Sequence, residues 1–185
     1  MTAASLLNEA SAQLGARNYS RARELLEQLR GEPEADIQLA YLLDQGLGGE
    51  RSPDRAEEIY RRLAEAGDVR GMYYLGSLLL EQRKLSEALQ QFERAAALGH
   101  GSSAYWAAAL HDGLHGHARN AEKHAALIER AASLGHLYAL RDARRLEMDK
   151  SRGSIPWIKA YARYLAVKLK GVAVGIRNPN DLRLR

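Results

Sequence analysis

Apolar residues recur every three or four positions through most of the chain, the spacing of helices that each bury one face. Glycines punctuate the pattern at matching places. Three segments end alike, RRLAEAGD (61–68), ERAAALGH (93–100) and ERAASLGH (129–136). Each is the close of a helix predicted over 55–67, 86–99 or 120–135. Gly67, Gly99 and Gly135 stand where a left-handed residue would end the helix and turn the chain. A second set of helices is predicted over 35–46, 71–82 and 103–113. The stretch 16–35 reads as a worn first copy, and the N-terminal residues as a first helix. Ala56 and Ala88 each stand four residues before an aromatic, Tyr60 and Phe92. A small residue and a large one on the same helix face is how stacked helix pairs interlock.

The repeats resemble the Sel-one-like repeat (SLR) family, a branch of the tetratricopeptide superfamily. Ala35, Leu39, Ala40, Leu42, Leu43, Gly46 and Gly48 match the first half of its pattern. Asp54, Ala56, Tyr60, Ala64 and Gly67 follow the second half. The next copy matches at Leu75, Gly76, Leu78, Leu79, Ala88, Phe92, Ala95, Ala96 and Gly99, but lacks the glycine-rich loop. The following copy keeps Ala107, Ala108, Leu110, Gly113, Ala131, Ala132 and Gly135, with His124 where an alanine would fall. The resemblance covers roughly residues 16–148. It implies an all-α fold, a right-handed α-solenoid of antiparallel helix pairs with a concave surface. It also implies a docking role in bacterial envelope, polysaccharide or signalling processes.

Repeat phasing selects the surface. Positions one, five and eight of the first helices (Ala35, Leu39, Leu42; Gly71, Leu75, Leu78) form the packing stripe. Positions three, four and seven are then left for the concave side. They hold Ile37, Gln38 and Tyr41, then Tyr73, Tyr74 and Ser77, then Tyr105, Trp106 and Ala109. Tyr and Trp pair large rigid surface with a polar tip, which suits a groove for a protein or peptide partner. The competing reading is that several of them fill gaps between stacked helices.

Charge changes the picture at the C-terminal end. Residues 1–149 carry 18 Lys+Arg against 22 Asp+Glu, whereas 150–185 carry nine basic residues against Asp181 alone. The boundary falls at SRGSIP, giving a repeat array over 1–149 and a basic amphipathic C-terminal helix and tail over 150–185. From Trp157 to about Ile176, the residues Ile158, Tyr161, Leu165, Leu169, Val172 and Ile176 form one apolar stripe. Trp157, Tyr161, Tyr164 and Lys168 edge it, and Lys159, Arg163, Lys168, Lys170 and Arg177 supply the basic surface. The segment reads as a cap with its stripe packed inward, as a helix on an anionic membrane surface, or as a dock for an acidic partner. Nucleic acid is the weakest of these partners, because no reading motif appears. The oligomeric state is left open.

Chemistry is sparse. There is no cysteine, hence no disulfide, thiolate or Cys-bound zinc. His111, His115, His117 and His124 gather around the loop LHDGLHGHARN (110–120), and His111 and His115 could share a helix face. A zinc set can be drawn from them with Asp112, but the loop falls where the family varies. His100 and His136 follow helix-ending glycines, where local capping explains them. The charged faces read as solvated i,i+4 pairs, as in RAEEIYRRLAE, and no nucleophile or phosphate motif is present. The expectation is a non-enzymatic adaptor without metal or cofactor. The N-terminus lacks a leader pattern and no apolar run would span a bilayer, so the expected place is cytoplasmic, or peripheral at the inner membrane face.

Overall fold

The computed structural model describes residues 2–150 and the helix 161–168. Among them all regular structure is helical: α1 (Ala3–Gly15), α2 (Tyr19–Glu27), α3 (Pro33–Gln45), α4 (Pro53–Glu65), α5 (Val69–Glu81), α6 (Leu85–Ala97), α7 (Gly101–His111), a 3₁₀ turn (Leu114–Gly116), α8 (Ala121–Ser133) and α9 (Leu137–Lys150). The chain forms two compact units, Met1–Gln82 and Arg83–Arg185. The SRGSIP boundary, and Trp157, Ile158, Lys159, Leu169, Lys170, Val172, Ile176 and Arg177, lie outside the described residues.

In the first unit α3 packs on α4 and α4 on α5, each helix lying against the next in sequence. Ala35, Leu39, Leu42, Leu75 and Leu78 are buried, as the stripe required. Ala56 beside Tyr60 is the expected small–large pair, and both are fully buried. Gly67 adopts φ +89°, and the amide of Asp68 bonds back to the Leu63 carbonyl. That i to i−5 bond closes the helix and turns the chain. The Asp68 side chain then caps α5 through the amides of Arg70 and Gly71. Two carboxylates are buried among these helices, Asp36 and Asp44. Asp36 accepts the Gly31 amide at 3.2 Å and the Arg62 guanidinium at 2.7 Å.

The second unit repeats this arrangement. α6 lies on α7, α7 on α8, and α8 on α9. Ala96, Ala104, Ala131 and Ala139 make a core of small residues, with Tyr105, Leu127 and Ala132 against it. Alanines let the backbones come close, so packing here depends on a few large side chains such as Phe92 and Ile128. Arg130 of α8 donates to the carbonyls of Ala96 and Ala97, both at 2.9 Å, satisfying the open end of α6.

His100 and His136 do cap, but at the start of the next helix. His100 Nδ1 accepts from the Ser103 amide at the head of α7, and His136 Nδ1 from the Ala139 amide at the head of α9. Burial, reinforced by His136, holds His100 below the ordinary histidine value of 6.5. The neutral ring is the form that caps. Its contribution is therefore complete above 6.5 and lost as the pH falls below it. Thermal melts at about pH 8 and about pH 5.5 should show a drop in Tm that His100→Asn, itself a good cap, makes smaller. An unchanged drop in the variant would refute this.

Candidate functional site

On the first unit, α3 and α5 bring Gln38, Tyr41, Tyr73, Tyr74 and Ser77 to one side, all half-buried. Tyr74 is the centre of the cluster. Its ring stacks on Tyr60 at 5.4 Å, meets Tyr73 edge-on at 5.2 Å and leans on Tyr41 at 6.1 Å. Tyr60 itself is fully buried with its hydroxyl unbonded. Burial, with Asp44 and the neighbouring tyrosines, pushes its phenol far up, so it stays neutral. Tyr74 is thus backed by a fully buried, neutral ring.

In front of this cluster lies a cavity of about 370 Å³. Ile37, Gln38, Tyr41 and Tyr74 line it, as phasing of the first helices required, whereas Tyr73 and Ser77 stand outside it. The Ser77 hydroxyl donates back to the Tyr73 carbonyl at 3.0 Å. Leu14, Tyr19, Leu47 and Arg70 complete the wall and were not singled out from the sequence. Tyr19 belongs to the worn first copy and Leu14 to the helix before it, where phasing is least legible. Arg70 shows itself only by its place just after the Asp68 cap.

Arg70 is held at the rim between two carboxylates, Glu34 at 2.6 Å and Asp68 at 3.1 Å. These bonds, Asp68 first, raise the guanidinium above its usual value. The bond from Arg70 holds Glu34 below the usual carboxylate range. Burial alone would raise Asp68, but the bonds from the Arg70 side chain and the Gly71 and Arg70 amides outweigh it and lower it. The rim is therefore charged but internally compensated, around a largely apolar hollow.

On the second unit Tyr105 and Trp106 are half-buried. Trp106 stacks on Phe92, with ring centres 6.2 Å apart. Tyr105 lies on the His136 ring at 4.5 Å and its hydroxyl donates to Asp142 at 3.2 Å. Tyr105 also lines a second hollow of about 370 Å³, with Ala109, His124 and Ile128. Both aromatics are thus tied into their own unit as well as offered at its surface, so the gap-filling reading holds in part for each.

The histidines around residues 110–120 do not converge. α7 ends at His111, so His115 falls in the 3₁₀ turn with φ +56° and shares no helix face with it. The helix stops because Gly113 turns left-handed at φ +97°. His111 bonds Glu93 at 2.9 Å, His124 bonds the Ala108 carbonyl at 2.9 Å, and Asp112 pairs with Arg119. Among the described residues no three His, Asp or Glu side chains are grouped to hold a metal ion. Likewise, among the described residues no helix is long and apolar enough to cross a membrane.

The helix pairs, their left-handed turns and the small–large stacking match a Sel1 repeat protein from Oxalobacter formigenes. The TM-score is 0.74 at 25% identity, over 90% of this chain and 68% of that one. The chain has the SLR fold. A second SLR-fold structure is c5321, a protective antigen present in uropathogenic Escherichia coli strains. It gives a TM-score of 0.75 at 20% identity, over 94% of this chain but only 38% of that one. MamA matches with a TM-score of 0.60 at 17% identity, over 89% of this chain and 96% of that one. At such identities these two likenesses concern the fold alone. No family model and no curated protein matches the sequence. The SLR fold is in general a non-enzymatic scaffold for protein–protein interaction.

On the 161–168 helix of this SLR-fold chain, Arg163 and Lys168 are exposed. Tyr164 and Val167 are its half-buried side chains, whereas Tyr161 and Leu165 are 42% and 40% exposed. The apolar stripe, packed inward in only one of its three readings, thus shows these two residues outward. The inward side is set by the register of Tyr164, three residues from Val167.

Proposed function

We propose that the chain is an adaptor whose first unit receives a peptide or protein segment through one apolar side chain. The observation that carries this reading is the hollow of about 370 Å³ fronted by the Tyr41–Tyr74 cluster. Such a hollow is sized for a large side chain, and aromatic walls already packed from behind lose little freedom on binding. Ile37 and Leu42 supply apolar floor, while the Gln38 side chain, whose nitrogen donates to Glu34, has an oxygen left to accept from the backbone of an incoming segment. Tyr73, beside Tyr74, extends the aromatic surface away from the hollow. Tyr105 and Trp106 offer a comparable aromatic face on the second unit. Envelope, polysaccharide or signalling processes in bacteria are the settings that the SLR resemblance makes the first to try.

Selection of a displayed peptide library on the wild-type chain tests this reading. Enriched peptides should share an apolar anchor and bind Tyr41→Ala about tenfold or more weakly by calorimetry, a loss of about 1.4 kcal/mol or more, with helicity retained, while Tyr73→Ala, outside the hollow, should lose less. Failure to enrich any peptide, or wild-type affinity in Tyr41→Ala, would sink it.

A further inference from the structure

The 161–168 helix stands in the register of a further second helix of the repeat. Ala56, Tyr60 and Leu63 in α4 follow one another at intervals of four and three, as do Ala88, Phe92 and Ala95 in α6. Ala160, Tyr164 and Val167 repeat that spacing. Tyr164 and Val167 are the two half-buried side chains of the helix. Its Arg163 reaches Glu147 of α9 at 3.8 Å. The helix therefore turns toward the array the side that the repeat prescribes.

Its exposed side departs from the repeat. Tyr161 and Leu165 occupy the places of Glu57 and Arg61 in α4, which pair with each other at 2.7 Å at the surface. In α6 the same places are Leu89 and Glu93 and in α8 Ala125 and Glu129, so Leu165 is the residue that breaks the pattern of a charged side chain at its place. Lys168 stands where α4, α6 and α8 carry Ala64, Ala96 and Ala132, the alanines that let a following helix pack closely; in α2 the same place falls on Arg30. A lysine there opposes close stacking of a further repeat, whether from this chain or from another copy. Tyr161, Leu165 and Lys168 follow at i, i+4 and i+7 and share one face, with both apolar residues exposed and the lysine exposed beside them.

We propose that this face docks on an anionic lipid surface. Charge decides among the occupants. Residues 150–185 bear nine basic side chains against one acidic one, so two copies would repel through this region, whereas a negatively charged bilayer attracts it. Among the described residues the other exposed large apolar side chains, Leu98, Leu134 and Tyr138, belong to the same unit as the basic segment, so a second copy that offered them would bring its own basic charge along. A tyrosine and a leucine flanked by lysine suit the headgroup boundary, where the apolar parts sink slightly and the ammonium meets phosphate. The proposal is independent of the peptide hollow on the first unit.

Sedimentation of the full chain with phosphatidylcholine vesicles, with and without phosphatidylglycerol, is the test. The wild type should be retained only by the anionic vesicles and released by raised salt. The double variant Tyr161→Ser/Leu165→Ser should bind about tenfold or more weakly, and Lys168→Glu should also lose binding. Because Lys168 is exposed, the second variant reports even if the first misfolds. The proposal is overturned if the wild type ignores anionic vesicles, or if Lys168→Glu binds them undiminished. It is equally overturned if light scattering shows a wild-type dimer that Leu165→Ser dissolves while vesicles retain neither.

Discussion

Phe92→Ala is expected to cost the second unit about 3–5 kcal/mol. The ring is fully buried in α6 with Ala88 one turn before it and Ala95 and Ala96 just after, all buried. Alanines have nothing to swing into the space, so the cavity stays open and the loss sits at the upper end for its type. Trp106, stacked on the ring, loses its support at the same time. Chemical denaturation followed by circular dichroism measures the cost, and tryptophan emission reports the loosened indole. A loss below about 1 kcal/mol would mean that the unit repacks and that Phe92 is no keystone.

The second large effect is expected at Gly48, in the loop between α3 and α4. Its φ is +77°, and a β-carbon there would stand 2.4 Å from the carbonyl of Tyr19 and 2.7 Å from the amide of Ser20. These are backbone atoms at the head of α2, so no side chain can step aside. Gly48→Ala should destabilise the first unit by about 2–5 kcal/mol, the sum of left-handed strain and overpacking. Gly67→Ala is the control. Gly67 has a φ of +89° but open space around it, so it should cost only the strain, about 1–2 kcal/mol. Equal losses in the two variants would show that the close approach of the loop to α2 is not tight. Because Tyr19 and Leu47 both line the hollow, Gly48→Ala should also weaken any peptide held there.

The glycine-rich loop illustrates what could be read in advance. Gly46 and Gly48 matched the SLR pattern, and both prove left-handed, at φ +66° and +77°. The copy without that loop passes from α5 to α6 through a short turn, with Arg83 taking the left-handed place at φ +63°. Of the nine groove residues named from phasing, Ile37, Gln38, Tyr41 and Tyr74 line the first hollow and Tyr105 and Ala109 the second. Tyr73, Ser77 and Trp106 do not line these hollows, and all three are half-buried.

Periodicity and glycine spacing were enough to place the helices, their left-handed turns and the Ala56–Tyr60 and Ala88–Phe92 pairs. Each of these is a local matter, settled within one or two turns of chain. What each face meets was a different question. Tyr105 is engaged by His136 and Asp142, and Arg70 by Glu34, partners 31, 37 and 36 residues away in the chain. A helical period shows which residues share a side but not which side a neighbour covers. So Tyr161 and Leu165, which one of three readings of the stripe packed inward, are exposed, and His115 lies off the helix face it could have shared with His111. Neighbouring helices and a left-handed turn set those outcomes, through contacts that no single helix carries in its own sequence.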